Sequence, residues 1–235
     1  MSKYINNSNI TNQRLSVLRL YQLTSPAFPV GAYSYSQGLE FACDEGVITN
    51  AASAEAWIAD CLQHSVAFLE APLASRMLQT ASGGDVPQLA AWNAQYLNLR
   101  ETAELRAEAL QMGYSLKRIA RDLGAWAEAD GLPQDDALAY PCAFAWACAQ
   151  WHIEPAAALE AYLWAWCENQ TMAAIKAVPL GQTAGQRMLA RLAAMIPDVA
   201  DAAQALADDD ICNFTPGLAI ASSRHEAQYS RLFRS

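Results

Sequence analysis

The sequence predicts an all-α protein, folded as a single-domain layered helical bundle with a mobile C-terminal tail. Apolar residues occupy 53% of the 235 positions and charged residues only 17%, so the chain can bury a substantial core. The 11 glycines and 10 prolines are too few for a chain built from tight turns. No stretch shows the sustained period-two alternation of a half-buried strand. Composition and periodicity together therefore favour helices throughout.

The first half of the chain divides into a leader and two helical stretches. Residues 1–13 are polar and rich in asparagine, and we expect them to form a flexible leader. An amphipathic helix follows over 14–23 and ends before Pro26, because proline disfavours a helical conformation in the residue before it. Ser53 is expected to cap a long helix that reaches about Met77, with a kink at Pro72.

Two further helices follow the Gly83-Gly84 turn, the first over 87–97. The second has the clearest pattern in the chain, with apolar residues at spacings of three and four from Leu105 to Leu123. Four charged residues lie off this stripe and are predicted to face water: Arg106, Glu108, Lys117 and Arg121.

The second half begins with an almost wholly apolar helix over 139–151, which we expect to be central. Pro155 suits the first turn of the next helix, which runs to about Ala177 and is broken at 179–181. Helices over 185–195 and 199–206 complete a bundle spanning 14–207. Residues 208–235 change character, with three aspartates, a Thr-Pro-Gly hinge and a basic end, and we expect them to form a mobile partner-docking tail.

Charge and composition exclude several classes of function. The net charge of −9 argues against a nucleic-acid-binding protein, which would present a basic face. The longest apolar run, 137–149, is too short to span a bilayer, so we predict no membrane partner. The six cysteines lie in apolar stretches without CxxC pairs, which is typical of buried thiols in a reducing cytoplasm.

No catalytic, cofactor-binding or metal-binding motif is present. Cys61 and His64 could share a helix face as metal ligands, but Cys61 belongs to an apolar stripe, so packing explains it better. Residues 208–210 lack the DDxxD spacing that puts two carboxylates on one helix face. A helical enzyme with a pocket between helices, using either group, remains an alternative. A stand-alone helical adaptor is another alternative.

Three features are not explained by core packing. They are the loop over 25–40, the stretch KAVPLGQTAGQR over 176–187, and the terminal RHEAQYSRLFRS over 224–235. In these three segments, in this order, the chain resembles the UreF family of urease accessory proteins. The helices between them match the family's length, so the resemblance covers nearly the whole chain.

The resemblance implies a cytoplasmic, non-enzymatic maturation factor without a cofactor of its own. Such proteins are all-α homodimers that bind a UreD/UreH-type accessory protein and recruit a UreG-type GTPase. The assembly docks on apo-urease and helps to deliver nickel to it. Lys176 is implied as the contact with the GTPase. Residues 222–235 are implied as the docking element for the UreD/UreH-type protein. The full set of predicted partner-binding residues is Tyr33, Ser36, Glu40, Lys176, Gln182, Arg224, His225, Tyr229, Arg231, Leu232, Phe233 and Arg234.

Overall fold

The protein is all-α in this computed structural model, which describes the chain from Ser2 onward and side chains from Asn12 onward. No strand occurs in the described part of the chain. The helices are α1 (Ser2–Leu23), α2 (Leu39–Asp44), α3 (Ala51–Cys61), α4 (Ala71–Gly83), α5 (Val86–Asn98), α6 (Ala103–Asp122), α7 (Tyr140–Gln150), α8 (Pro155–Ala177), α9 (Gln182–Ala193), α10 (Ile196–Ala205) and α11 (Pro216–His225). Short 3-10 turns lie at Ala32–Ser34 and Asp208–Asp210.

Three helices form the middle of the bundle. The apolar helix α7 packs between α4 and α6, and α4 also packs against α8. Every residue from Pro141 to Cys148 is buried, which confirms the central position predicted for this segment. Gly113 lets α6 approach the entry to α7, because a Cβ at this position would lie 2.1 Å from the Leu138 carbonyl oxygen.

The N-terminal helix differs from the prediction. It begins at Ser2 rather than at Arg14, because neither proline nor glycine interrupts residues 2–23. The helical assignment therefore extends through most of the expected leader, although Met1 lies outside the described residues. The flexibility of the leader stays a prediction. None of the described helices is long and apolar enough to cross a bilayer.

The predicted long helix over 53–77 is divided by a π-helical stretch, Leu62–Glu70. Asn50, rather than Ser53, caps α3, and the Ser53 side chain completes a reciprocal capping box. Pro72 lies in the first turn of α4 and has no N–H to give to the preceding turn. The Phe68 carbonyl instead accepts from the Cys212 N–H at 3.1 Å. At the position where we expected a kink, the chain changes from a π-helix to an α-helix.

Two predictions about exposure are wrong. Glu108 and Lys117 are buried rather than facing water, because each finds polar partners on another segment. The Lys117 ammonium lies 2.6 Å from an Asp135 carboxylate oxygen and above the Trp126 ring. Among the cysteines, four are buried as expected, but Cys212 is exposed in the loop before α11 and Cys43 is half-buried.

Candidate functional site

The loop before α2 and the start of α2 bury two polar side chains, Ser36 and Glu40. Gly31 and Gly38 adopt left-handed backbone conformations on either side of Tyr33, Ser36 and Gln37. Gln37 does so as well, with φ of 52°, which is uncommon for a residue with a side chain. As a result Ser36 is fully buried, and Glu40 on α2 retains only 7% exposure.

Helix α11 packs directly on this turn. A Cβ on Gly38 would lie 2.9 Å from the Ser222 backbone nitrogen, so only glycine permits the approach. After α11 ends at His225, residues 226–235 fold back across α2 and the start of α6. We call residues 226–235 the C-terminal segment.

Glu40 is the main acceptor for the C-terminal segment. Its carboxylate accepts hydrogen bonds from the backbone N–H groups of Leu232 at 2.6 Å and Phe233 at 3.0 Å. The same carboxylate lies 3.2 Å from Nε2 of His225. Hydrogen bonds to an ionised acceptor are stronger than neutral ones, and this one side chain contacts both the end of α11 and the later part of the C-terminal segment.

Glu104, in the first turn of α6, provides the second carboxylate. One of its oxygens lies 2.7 Å from Nδ1 of His225, and the other accepts from Arg231 at 2.7 Å. His225 has no exposed surface and stands between the two carboxylates. The contact therefore joins α2, α6 and α11 through one imidazole ring.

The last residue is held by residues 31–38, the loop before α2, which we call the inner loop. The Ser235 main-chain oxygen accepts from the N–H groups of Ser36 and Gln37 at 2.7 and 3.1 Å, and from the Ser36 hydroxyl at 2.6 Å. Its own hydroxyl donates to Glu108 at 2.8 Å. Ser235 is completely buried as a result.

Glu108, which accepts from the Ser235 hydroxyl, is buried in the interior of the bundle. Burial raises the pKa of its carboxyl to about 7, although Arg100, Gln37 and Ser235 act in the opposite direction. The Gln37 amide donates to Glu108 at 2.8 Å and accepts from the Trp166 indole at 2.9 Å. A strained residue, Gln37, thus connects the loop, α6, α8 and the C-terminal segment.

A second buried acid lies deeper. Glu70, at the end of the π-helical stretch, accepts from the Tyr162 hydroxyl at 2.5 Å and pairs with Arg100 at 3.1 Å. Glu70, Arg100 and Glu108 line a small, partly open cavity of about 60 Å³ together with aromatic side chains. Arg100 keeps one buried N–H, at Nε, without a protein partner. The cavity has the polarity and size to hold a few ordered water molecules.

Lys176 ends α8, as predicted, and is exposed. Its ammonium lies 5.8 Å from the ring centre of Tyr33 and 5.6 Å from that of Phe233. Burial, followed by the charge of Glu168, raises the pKa of Tyr33 to about 12, so the ring remains neutral at physiological pH. Lys176 therefore joins the inner loop to the C-terminal segment by cation–π contacts, in addition to complementing the helix dipole.

The predicted partner-binding residues divide into buried and exposed groups. The buried group (Ser36, Glu40, His225 and Phe233) makes intramolecular contacts. Tyr33 is half-buried beside Lys176. The exposed group comprises Lys176, Gln182, Arg224, Tyr229, Arg231, Leu232 and Arg234.

Residues 208–235, predicted as a mobile tail, are folded onto the bundle in the structure. Groups of this segment donate to the carboxylates of Glu40, Glu104 and Glu108, and buried carboxylates are stabilised by such donors. Glu104 and Glu108 were not predicted as site residues, because their contacts with His225 and Ser235 join residues more than a hundred positions apart. Gln37 was not singled out either, since its contacts with Trp166 and Ser235 also join distant parts of the chain.

The residues named for the alternative chemical sites lie in different surroundings from those that the alternatives need. Among the described residues, no group of three or more histidine, cysteine or acidic side chains is arranged to hold a metal. Cys61 is buried while His64 is exposed, so the two do not form one site. Asp208 pairs with Arg76 at 2.9 Å, and Arg76 also donates to carbonyls at the end of α10.

Comparison with known proteins shows which family profile and which relatives this chain is similar to. A family profile described as UreF matches residues 48–193. A protein from Azoarcus sp. (strain BH72) named urease accessory protein UreF is 55% identical over 94% of this chain and 96% of its own length. Proteins of the same name from Dechloromonas aromatica (strain RCB) and Alkalilimnicola ehrlichii are 51% and 45% identical, over 94% and 97% of this chain and 98% and 100% of their own lengths.

Proposed function

Because this chain belongs to the UreF family, we propose that it is a non-enzymatic accessory protein in urease maturation. The observation that carries the proposal is the 55% identity to a urease accessory protein across 94% of the chain. The protein would act in the cytoplasm, within a complex that delivers nickel to apo-urease. Nickel would be handled by the wider complex, and this chain would need no cofactor of its own.

Genetic complementation tests this role. The gene for the corresponding accessory protein is deleted from a urease-positive bacterium, and this chain is expressed in its place. We expect nickel-dependent urease activity to return, with urease subunits present in equal amounts with and without the chain. Urease that remains inactive, although the chain is folded and the other accessory proteins are present, would contradict the proposal.

The surface around α11 fits the binding of a UreD/UreH-type partner. Large apolar side chains remain exposed here, with Ile220 at 61%, Tyr229 at 105% and Leu232 at 72% exposure. Arg224 lies beside Ile220 in an open groove between α11 and the start of α6. Exposed aromatic, aliphatic and arginine side chains are the residue types that dominate binding energy at protein interfaces.

Point substitutions on this surface test it better than deletion of 222–235. Deletion would remove the donors that satisfy Glu40 and Glu108, and so would destabilise the bundle. A Tyr229→Ala, Leu232→Ala double variant removes only exposed side chains. We expect it to melt like the wild-type protein but to lose the UreD/UreH-type partner in pull-down and titration. Unchanged affinity would exclude this surface.

The exposed ammonium of Lys176 fits a contact with an acidic group of a UreG-type GTPase. Gln182, which begins α9, is also exposed a short distance along the chain. In a reconstituted assembly, we expect Lys176→Ala to reduce the urease activated per GTP hydrolysed. Arg187→Ala, another exposed cation nearby on α9, is the matched control. If both variants and the wild-type protein activate the same amount of urease per GTP hydrolysed, Lys176 has only a structural role.

A homodimer is also part of this proposal. The apolar helix α7 is enclosed within the monomer, so the dimer contact would use another surface. Helix α1 leaves Leu15, Leu18 and Tyr21 exposed at a spacing of three residues. Sedimentation should report about twice the chain mass, and Leu18→Glu should lower it toward the monomer if this face is the contact.

A further inference from the structure

An apolar groove on the outside of the bundle shares no residue with the contacts of the C-terminal segment. It lies between α10 and the π-helical stretch Leu62–Glu70, which pack against each other, and its volume is about 480 Å³. Apolar side chains from both elements line it: Ala67, Phe68, Met195, Val199 and Leu206. A space of this size is large enough to take several apolar side chains of a ligand.

The π-helical winding is what leaves Phe68 at this groove. Residues seven positions apart lie on one face of an α-helix, so α-helical winding would place Phe68 on the same side as Cys61, which is only 7% exposed. The wider π-helical turns instead leave Phe68 41% exposed. Stretches of π-helix are rare and are often found at functional sites. The chain therefore departs from regular helix geometry where it presents an aromatic ring to a partner.

Both walls of the groove are fixed by hydrogen bonds. The Phe68 carbonyl accepts from the Cys212 N–H at 3.1 Å, and the Thr215 hydroxyl donates to the His64 carbonyl at 3.1 Å. Arg76 holds the end of α10 through hydrogen bonds to its main-chain carbonyls. Because these contacts already order the walls, a ligand that enters the groove has little conformational entropy to remove from them.

Three aspartates lie in or next to the groove. Asp198 belongs to its lining, Asp201 is exposed three residues further along α10, and Asp60 is exposed four residues before His64. The helix dipole explains Asp198, which is in the first turn of α10, but not the other two. None of the three makes an ion pair within the described part of the chain. The lining residues, all of which the structure describes, include no lysine or arginine. The groove therefore has an apolar floor and an acidic edge.

We propose that this groove binds an amphipathic α-helix of a partner protein, with apolar side chains against Phe68 and Val199 and with lysine or arginine side chains beside Asp198 and Asp201. A helix suits a groove between two helices, because its side chains pack into the space between their ridges. Basic side chains complement the acidic edge and speed association. Phe68 is the anchor, since aromatic side chains are enriched at the centres of interfaces. This surface is separate from those proposed for the UreD/UreH-type protein and the UreG-type GTPase.

A pair of synthetic helical peptides tests the proposal on the full-length protein. Each peptide has about four turns and carries leucine at spacings of three and four. The remaining positions are mostly lysine in one peptide and mostly glutamate in the other. In fluorescence anisotropy we expect the lysine peptide to bind, less tightly as salt is added, and the glutamate peptide not to bind. Equal binding of the two peptides, or binding of neither, would overturn the proposal. No urease component is present, so this outcome is independent of the proposed role in maturation.

Substitutions in the groove show where the lysine peptide binds. Phe68→Ser removes the exposed ring, and the Asp198→Asn, Asp201→Asn double variant removes the acidic edge. Each should weaken binding by at least about tenfold. Ala202→Arg fills the groove from an exposed position without removing a packed side chain, and so provides the same test if Phe68→Ser lowers stability. Unchanged affinity in these variants would overturn the proposal.

Matched controls lie elsewhere on the surface. Leu123, at 42%, is exposed to the same extent as Phe68, so Leu123→Ser controls for the loss of an apolar side chain. The Asp122→Asn, Asp136→Asn double variant controls for the loss of two exposed acids. Both controls should bind the lysine peptide as the wild-type protein does, and an equal loss of affinity in them would overturn the proposal. A sedimentation mass that falls with Ala202→Arg in the absence of peptide would overturn it too, because a second copy would then occupy the groove.

Discussion

Replacing Glu108 by glutamine should change how the stability of the bundle depends on pH. Burial raises the pKa of this carboxyl from its ordinary value of 4.5 to about 7 in the folded protein. Below pH 4.5 the carboxyl is neutral in both the folded and the unfolded chain. Between pH 4.5 and about 7 only the unfolded chain ionises, which favours unfolding. The stability contributed by the raised pKa is therefore present at low pH and lost as the pH rises through about 7.

The size of the effect follows from the two pKa values. A tenfold change in proton affinity corresponds to about 1.4 kcal/mol, so the full loss from the Glu108 carboxyl is about 3 kcal/mol. Most of this loss develops between about pH 5 and about pH 8, where the free energy of unfolding should fall by about 2 to 3 kcal/mol because of this group. For a chain of this length, that corresponds to a change of roughly 5 to 10 °C in Tm.

Urea unfolding curves at several pH values, for the wild-type protein and Glu108→Gln, provide the assay. Other titrating groups contribute equally to both proteins and cancel in the difference. Asp122→Asn, which changes an exposed acid on the same helix, controls for the loss of one negative charge. If the wild-type and Glu108→Gln proteins have parallel pH profiles, Glu108 does not carry a raised pKa and the argument fails.

Three further predictions concern stability. Gly38→Ala places a Cβ 2.9 Å from the Ser222 nitrogen, so hydrogen exchange should show α11 losing protection while the central helices keep theirs; unchanged protection of α11 would contradict this. Glu70→Ala leaves Arg100 buried without its carboxylate partner, so the free energy of unfolding, measured with urea, should fall by about 3 to 5 kcal/mol. A fall below about 1 kcal/mol would contradict the importance of this ion pair. Asn50→Ala removes both side-chain hydrogen bonds to the start of α3 and should cost about 1 kcal/mol, and an unchanged melting curve would contradict the cap.

Most of the secondary structure could be predicted because it depends on nearby residues. The apolar stripe of α6, the unbroken apolar character of α7 and the proline at the start of α8 each define a helix locally. The prediction failed at Pro72, where the sequence is compatible with two local structures. Pro72 could kink a helix or follow a π-helical stretch, and the structure has the second because Cys212 can donate to the carbonyl that the proline leaves free.

The candidate site was predicted only in outline. The three segments that suggested it do meet in the fold, since Lys176 lies over the rings of Tyr33 and Phe233. Which residues of these segments are buried could not be predicted from the sequence, because burial is a property of the assembled bundle. Glu108 looks like a solvent-facing residue by its helical position, yet Ser235 and Gln37 cover it.

The helical class and the central position of α7 could be predicted from the sequence, because periodicity and residue type act over one or two helical turns. The family was indicated separately, by the resemblance of three motifs. The folding of the C-terminal segment onto the bundle could not be predicted in this way. That outcome depends on Glu40 and Glu104 meeting His225 across a long separation in the chain, and buried carboxylates are stable only where such donors reach them.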